Sequence, residues 1–148
     1  MPDMPPTPDD PTRPAPPRAA NDRPAPADRV VLVVEDDPEI NHLVGAYARL
    51  AGFAYHGAMT AAAAFDEIRR HRPALIVLDV MLPDLDGFEI CRRVKEDPET
   101  RPIPVILLTA LGEAYRQRGL ACGASDYLGK PFDPDLLMEA ISRYATTG

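Results

Sequence analysis

From Val30 onward, short apolar runs alternate with stretches in which apolar residues recur every three or four positions. Val30–Val34, Leu75–Leu78 and residues 105–108 are rich in Val, Ile and Leu and show no alternation with polar residues. Such runs are expected of strands buried on both faces of a parallel sheet, so these three are read as its centre. A shorter strand fits at 53–58 and another at 126–128. Between them, Ile40, Leu43, Val44, Tyr47 and Leu50 define one helical face, and Ala61, Ala64, Phe65 and Ile68 define a second. Gly52 closes the first of these helices, Thr60 caps the second, and Pro73 precedes the next strand. A third helix is predicted over Gly87–Glu96, with Phe88, Cys91 and Val94 inward, and a weaker one over 113–121, ending near Gly123. The last helix has Asp133 as N-cap, Pro134 at its first position, and Leu136, Leu137, Ala140, Ile141 and Tyr144 inward. Strand and helix thus alternate through the chain. The pattern predicts an α/β fold, a doubly wound five-stranded parallel sheet with helices on both faces and ligands at the carboxyl ends of the strands.

Composition sets the limits of this domain. The chain has 148 residues, which suits one core and not two. Residues 1–28 contain ten of the eighteen prolines and no apolar side chain beyond Ala, Met and Pro. That segment cannot bury enough surface to offset its ordering entropy and is expected to be a disordered, Pro-rich tail before a domain at 29–148. A net charge of -7 argues against a nucleic-acid-binding or anionic-membrane face, since phosphate contact needs clustered Lys and Arg. Cys91 and Cys122 form no metal-binding or disulfide spacing and are read as small apolar residues in a reducing compartment. With no cationic, apolar leader and no span-length run, a cytoplasmic protein is expected. His42, His56 and His71 fall on different elements with no evident shared face, so no histidine metal cluster is expected. His71 is read as favouring the C-terminus of its helix.

The topology gathers chemistry on one rim. Glu35, Asp36 and Asp37 follow the first strand, Asp79 ends the third, Thr109 ends the fourth and Lys130 follows the fifth. Carboxylates brought together repel one another, and a cation relieves that cost. Oxygen-only ligands select a hard ion such as Mg²⁺. A carboxylate held there can attack phosphorus and form an acyl phosphate, and Asp79 is placed to do so. The Lys130 ammonium and the Thr109 hydroxyl suit the phosphoryl oxygens of that product.

At these residues the chain resembles the receiver domains of bacterial two-component response regulators, over about 29–145. The segments that carry the resemblance are VVLVVEDDPEI, LIVLDVMLPDLDGFEICRRVK, PVILLTA and GASDYLGKPF. The resemblance implies a flavodoxin-like fold and a phosphoacceptor function. It implies that Glu35 and Asp36 form the acidic metal pair with Asp79, that the Met81 carbonyl is a further Mg²⁺ ligand, and that Asp79 is phosphorylated. It implies contacts from Thr109 and Lys130 to the phosphoryl group, a cis Lys130–Pro131 peptide, and Tyr127 as an aromatic switch responding to Thr109. Tyr115, Arg116 and Arg118 would share its output face. The implied partners are a histidine kinase or histidine phosphotransfer protein and a downstream protein, with a monomer or a phosphorylation-dependent homodimer as the assembly. The interval from Thr109 to Lys130 is slightly shorter than is usual in that family. Little sequence follows the last helix, so a stand-alone or isolated receiver is expected.

Two other functions share parts of this pattern. A phosphatase of the haloacid-dehalogenase type also uses an aspartyl phosphate and Mg²⁺, but it needs an acid two residues after the nucleophile. Met81 stands there and cannot carry a proton. A pseudo-receiver that binds partners without phosphorylation would not need Glu35, Asp36, Asp79, Thr109 and Lys130 together.

Overall fold

The computed structural model describes residues 29–146. The expected N-terminal tail lies outside them. The elements run β1 (Val30–Val34), α1 (Pro38–Leu50), β2 (Ala54–Ala58), α2 (Ala61–His71), β3 (Leu75–Leu78), α3 (Gly87–Glu96), β4 (Val105–Thr109), α4 (Arg116–Ala121), β5 (Asp126–Gly129) and α5 (Pro134–Ala145). All four strand pairings are parallel, in the order β2-β1-β3-β4-β5. The order reverses direction between β1 and β3, which opens a crevice at their carboxyl ends.

The central strands are buried along their length, as their unalternated sequences require: every residue of β3 and β4 is buried. One face of the sheet packs through Leu32, Ile76, Leu78 and Leu107 against α2 and α3, and the other through Val31, Val33, Val77 and Ile106 against α1 and α5. Asp37, Thr60, Asp86 and Asp133 each accept backbone N–H bonds at the start of a helix, satisfying donors that have no partner within it.

Two helical faces are turned differently from the simple apolar stripe, and one expected helix is divided. In α1 the buried residues are Asn41, Val44, Gly45 and Ala48, while Leu43 and Leu50 are exposed. The reason is steric: a Cβ on Gly45 would sit 2.5 Å from the Tyr55 ring, so α1 approaches β2 through its small residues. In α5, Leu137, Ala140, Ile141 and Ala145 are buried and Leu136 is exposed. The expected helix over 113–121 divides into a 3₁₀ turn at Glu113–Tyr115 and a short α4. Cys91 is buried and Cys122 is half-buried, and the Cys91 thiol points at the Cys122 carbonyl oxygen 3.5 Å away.

The histidine expectation needs correction. His56 and His71 do come together, on either side of Glu67. His56 lies on the edge strand β2, and its side chain meets the last turns of α2, which passes over that strand. Periodicity within each element gave no sign of this, because the meeting depends on how the two elements pack.

No helix among the described residues is long and apolar enough to cross a membrane.

Gly87 links fold to site. A Cβ there would lie 2.5 Å from the Asp79 carbonyl oxygen, so α3 begins in contact with the backbone that carries Asp79. Gly87→Ala is expected to lower the unfolding free energy by about 2 kcal/mol, through overpacking that no flexible side chain can relieve. Urea denaturation of both proteins measures this; an unchanged midpoint would show that the α3 start shifts freely.

Candidate functional site

Each chemical residue sits at or just beyond the last paired position of its strand. The Glu35 N–H donates to Ala58 O at 3.0 Å, the Asp79 N–H to Val34 O at 2.9 Å, and the Lys130 N–H to Thr109 O at 2.9 Å. The sheet's own ladder therefore fixes where these side chains start. Carboxylate oxygens of Glu35, Asp36 and Asp79 lie within 4.8 Å of one another. Glu35 and Asp79 are buried and Asp36 is exposed. Asp37 is not part of the group: its Oδ1 accepts from the Glu39 and Ile40 N–H groups and caps α1.

Lys130 closes the group from β5. Its Nζ donates to Glu35 Oε1 and, at 3.2 Å, to Asp79 Oδ2. The other oxygen of each acid is held by backbone, with Asp37 N–H on Glu35 Oε2 and Met81 N–H on Asp79 Oδ1, both at 3.1 Å. Burial pushes the Glu35 carboxyl up to about 7, against the pull of the Lys130 and Asp37 hydrogen bonds. Burial also disfavours the Lys130 ammonium, but the bonds and charges of Glu35 and Asp79 outweigh it and hold its pKa above the usual lysine value. The Glu35 carboxyl thus holds a proton more tightly than a free carboxylate would.

Thr109 is fully buried, and its Oγ1 accepts from the Leu111 N–H at 3.3 Å. Tyr127 is also fully buried, with its hydroxyl donating to Gly112 O at 2.6 Å and the Arg116 guanidinium 5.4 Å from its ring centre. The Lys130–Pro131 peptide is cis, as the resemblance implied. Met81 is 58 % exposed, and with Leu111, Asp36, Tyr115 and Arg118 it lines an open cleft beside the acids.

Two supporting residues escaped the sequence reading. The Asn41 side-chain nitrogen reaches the carbonyls of Val33, Glu35 and Ala58 at 3.0 to 3.2 Å, and the Tyr55 hydroxyl donates to its Oδ1. It anchors the turn that carries the acidic pair. Asp84 accepts from the Ala61 and Ala62 N–H groups at 2.8 and 3.1 Å, which ties the loop after Asp79 to the start of α2. Those bonds, the Ala61 one foremost, hold its carboxyl below the usual range. A polar residue on an otherwise apolar helical face was the available signal for Asn41; none existed for Asp84.

The donor set is all oxygen, converges within one ion's reach and includes an exposed member, which fits a hard, partly hydrated cation such as Mg²⁺.

Comparison with known proteins agrees with this geometry. Residues 31–142 match the model of the response regulator receiver domain. The chain is 38% identical over 112 residues to the DNA-binding dual master transcriptional regulator RpaA of Synechocystis sp., covering 75% of this chain and 46% of that protein. It is 43% identical over 112 residues to response regulator PleD of Caulobacter vibrioides, covering 74% and 25%. The chain thus spans less than half the length of these relatives. Among solved structures, the receiver domain of the Francisella response regulator 1452 superposes with a TM-score of 0.74 at 29% identity, covering 80% of this chain and 98% of that one.

Among the described residues, Lys130 is the one cation paired with both buried acids. Lys130→Met is expected to cost about 2 kcal/mol of unfolding free energy at pH 7 without divalent metal, because it leaves those carboxylates without a counter-charge. Chemical denaturation checks it, and a variant as stable as the parent would show that Glu35 simply takes up a proton.

Proposed function

The chain belongs to the response regulator receiver domain family, a family of two-component signalling, and from that membership we propose that Asp79 is its phosphoacceptor. The supporting observation is the convergence of Glu35, Asp36 and Asp79 with Lys130 at the crevice where the strand order reverses.

The donor is a phosphohistidine of a histidine kinase or phosphotransfer protein. An Asp79 carboxylate oxygen attacks phosphorus, the bond from phosphorus to the imidazole nitrogen breaks, and the histidine leaves with its electron pair. Glu35, Asp36, Asp79 and the Met81 carbonyl would hold Mg²⁺, which supplies positive charge for the phosphoryl oxygens. Lys130 already donates to Asp79 Oδ2 and exchanges carboxylate for phosphoryl oxygen as the group arrives. Thr109, at the end of the neighbouring strand, donates its hydroxyl to another.

Read-out runs through the segment after Thr109. Movement of Thr109 toward the phosphoryl group pulls on Leu111 and Gly112, and Gly112 O is the acceptor of the Tyr127 hydroxyl. Tyr127, Tyr115, Arg116 and Arg118 form the responding face, a two-state element that phosphorylation biases. The acidic chain meets a protein partner there, in the cytoplasm, and carries the switch without itself gripping nucleic acid.

Intact mass after incubation with acetyl phosphate and Mg²⁺ tests the assignment. One phosphoryl group is expected on the parent chain and none on Asp79→Asn. Labelling of both, or of neither under conditions that label a known receiver, refutes it.

The phosphorylated state should also be long-lived. Met81 and Leu111, two positions beyond Asp79 and Thr109, line the cleft that Asp36 shares, and neither side chain orients a water or accepts its proton. Met81→Asn with Leu111→Glu is expected to accelerate hydrolysis by about tenfold, or roughly 1.4 kcal/mol of barrier. Decay of the phosphorylated chain after donor removal gives the comparison, and a decay as slow as the parent's would place control of water access elsewhere.

A further inference from the structure

On the face of the sheet covered by α2, a second set of donors stands apart from the acidic crevice. The His56 Nδ1 lies 3.0 Å from Glu67 Oε2, and the His71 Nε2 lies 3.6 Å from the same oxygen. Ligand atoms of the three residues all fall within 4.8 Å of one another. The imidazoles meet edge to face, with centroids 4.5 Å apart and planes at 84°, so both present nitrogen to the carboxylate without stacking on each other. Among the described residues, the groups that pair with Glu67 are these two imidazoles, while the neighbouring Arg69 and Arg70 pair with Asp66.

The arrangement is built by two elements. Glu67 and His71 are four apart on α2 and share a face by helical period. His56 is added from the edge strand β2, opposite Leu32 in the β1 register and so three positions before Glu35. His71 lies in the last turn of α2, away from the rim where Asp79 sits. The three side chains are 35%, 27% and 42% exposed, for His56, Glu67 and His71, so an ion can reach them.

In tetrahedral zinc sites with ligand bonds near 2.0 Å, ligand atoms stand roughly 3.3 Å apart. The 3.0 and 3.6 Å separations bracket that value. Two neutral imidazoles and a carboxylate suit Zn²⁺ and its neighbours in the first transition series, not Mg²⁺, which takes oxygen and keeps its waters. We propose that His56, Glu67 and His71 form a site for a transition-metal cation of the Zn²⁺ type, with the fourth position left to water, which ties the edge strand β2 to the end of α2. The chain then carries two metal sites of opposite preference, one all oxygen and one nitrogen-rich.

Titration of the full chain with Zn²⁺, and with Co²⁺ followed by its visible absorption, tests this in a large excess of Mg²⁺ that occupies the acidic crevice. One equivalent is expected to bind, with a tetrahedral Co²⁺ spectrum and a raised unfolding temperature. His56→Gln, Glu67→Gln and His71→Gln should each weaken binding by at least about tenfold, the loss that even an outer partner of a metal ligand causes. His42→Gln should leave it unchanged. Imidazole nitrogen resonances of the parent chain give a check that no variant can confuse by misfolding: Zn²⁺ should shift His56 and His71 and spare His42. No stoichiometric binding, binding insensitive to the three substitutions, or shifts at His42 in place of the other two would overturn the proposal.

Discussion

Like charges held in a crevice are the constraint on which the rest of this structure depends. Two buried carboxylates, with a third at the surface, meet where the strand order reverses, and water alone cannot screen them there. Lys130 comes from the far side of β4 to bond both buried acids, backbone N–H groups take their remaining oxygens, and Glu35 still has its pKa raised to about 7. The fold therefore holds a cluster short of positive charge. A divalent cation would relieve that shortage and offset the negative charge that an incoming phosphoryl group brings, so the tension at the rim and the chemistry proposed for it share one origin.

Most of the frame was legible because it rests on strong local signals. Unalternated Val, Ile and Leu runs can be buried only between two helical layers, and β1 and β3 fall where those runs lie. Caps at Thr60 and Asp133 mark helix starts with side chains whose oxygens have a defined task there. The site was legible for a topological reason. In a parallel sheet every strand ends at the same rim, so acids, Thr109 and Lys130 scattered over nearly a hundred residues of sequence are carried to that rim.

What stayed hidden depends on distances between elements. The apolar stripe of α1 pointed to Leu43 and Leu50, yet the helix packs through Gly45 because the Tyr55 ring occupies the space a larger residue would need. Asp37 and Asp84 carry the same functional group as Asp79, but unpaired N–H groups at two helix starts claim them first. His56 and His71 are fifteen positions apart on elements of different period, and only the packing of α2 over β2 brings their nitrogens to one carboxylate. Except at Asp37, whose cap bonds are local, the residue type stated a capacity and the neighbour that used it lay ten or more positions away.

The segment from Thr109 to Tyr127, the switch proposed above, depends on such neighbours. Gly112 adopts φ +86, open to glycine without strain, and a Cβ there would meet nothing within 4 Å. Its carbonyl oxygen accepts from the buried Tyr127 hydroxyl at 2.6 Å and from the Tyr115 N–H at 3.3 Å. Gly119 works the other way: a Cβ there would press 2.7 Å from Leu107 and 3.0 Å from the Tyr127 ring, so the short α4 is seated closely on β4 and β5. A loosely packed loop thus joins Thr109 to a tightly packed aromatic. Under the proposed read-out, a small shift of Thr109 would be taken up first by the loop and would reach the surface only if the Tyr127 to Gly112 bond broke or dragged its ring. Arg116 lies over that ring and is also bonded to Glu113, so it contacts both the aromatic and the loop.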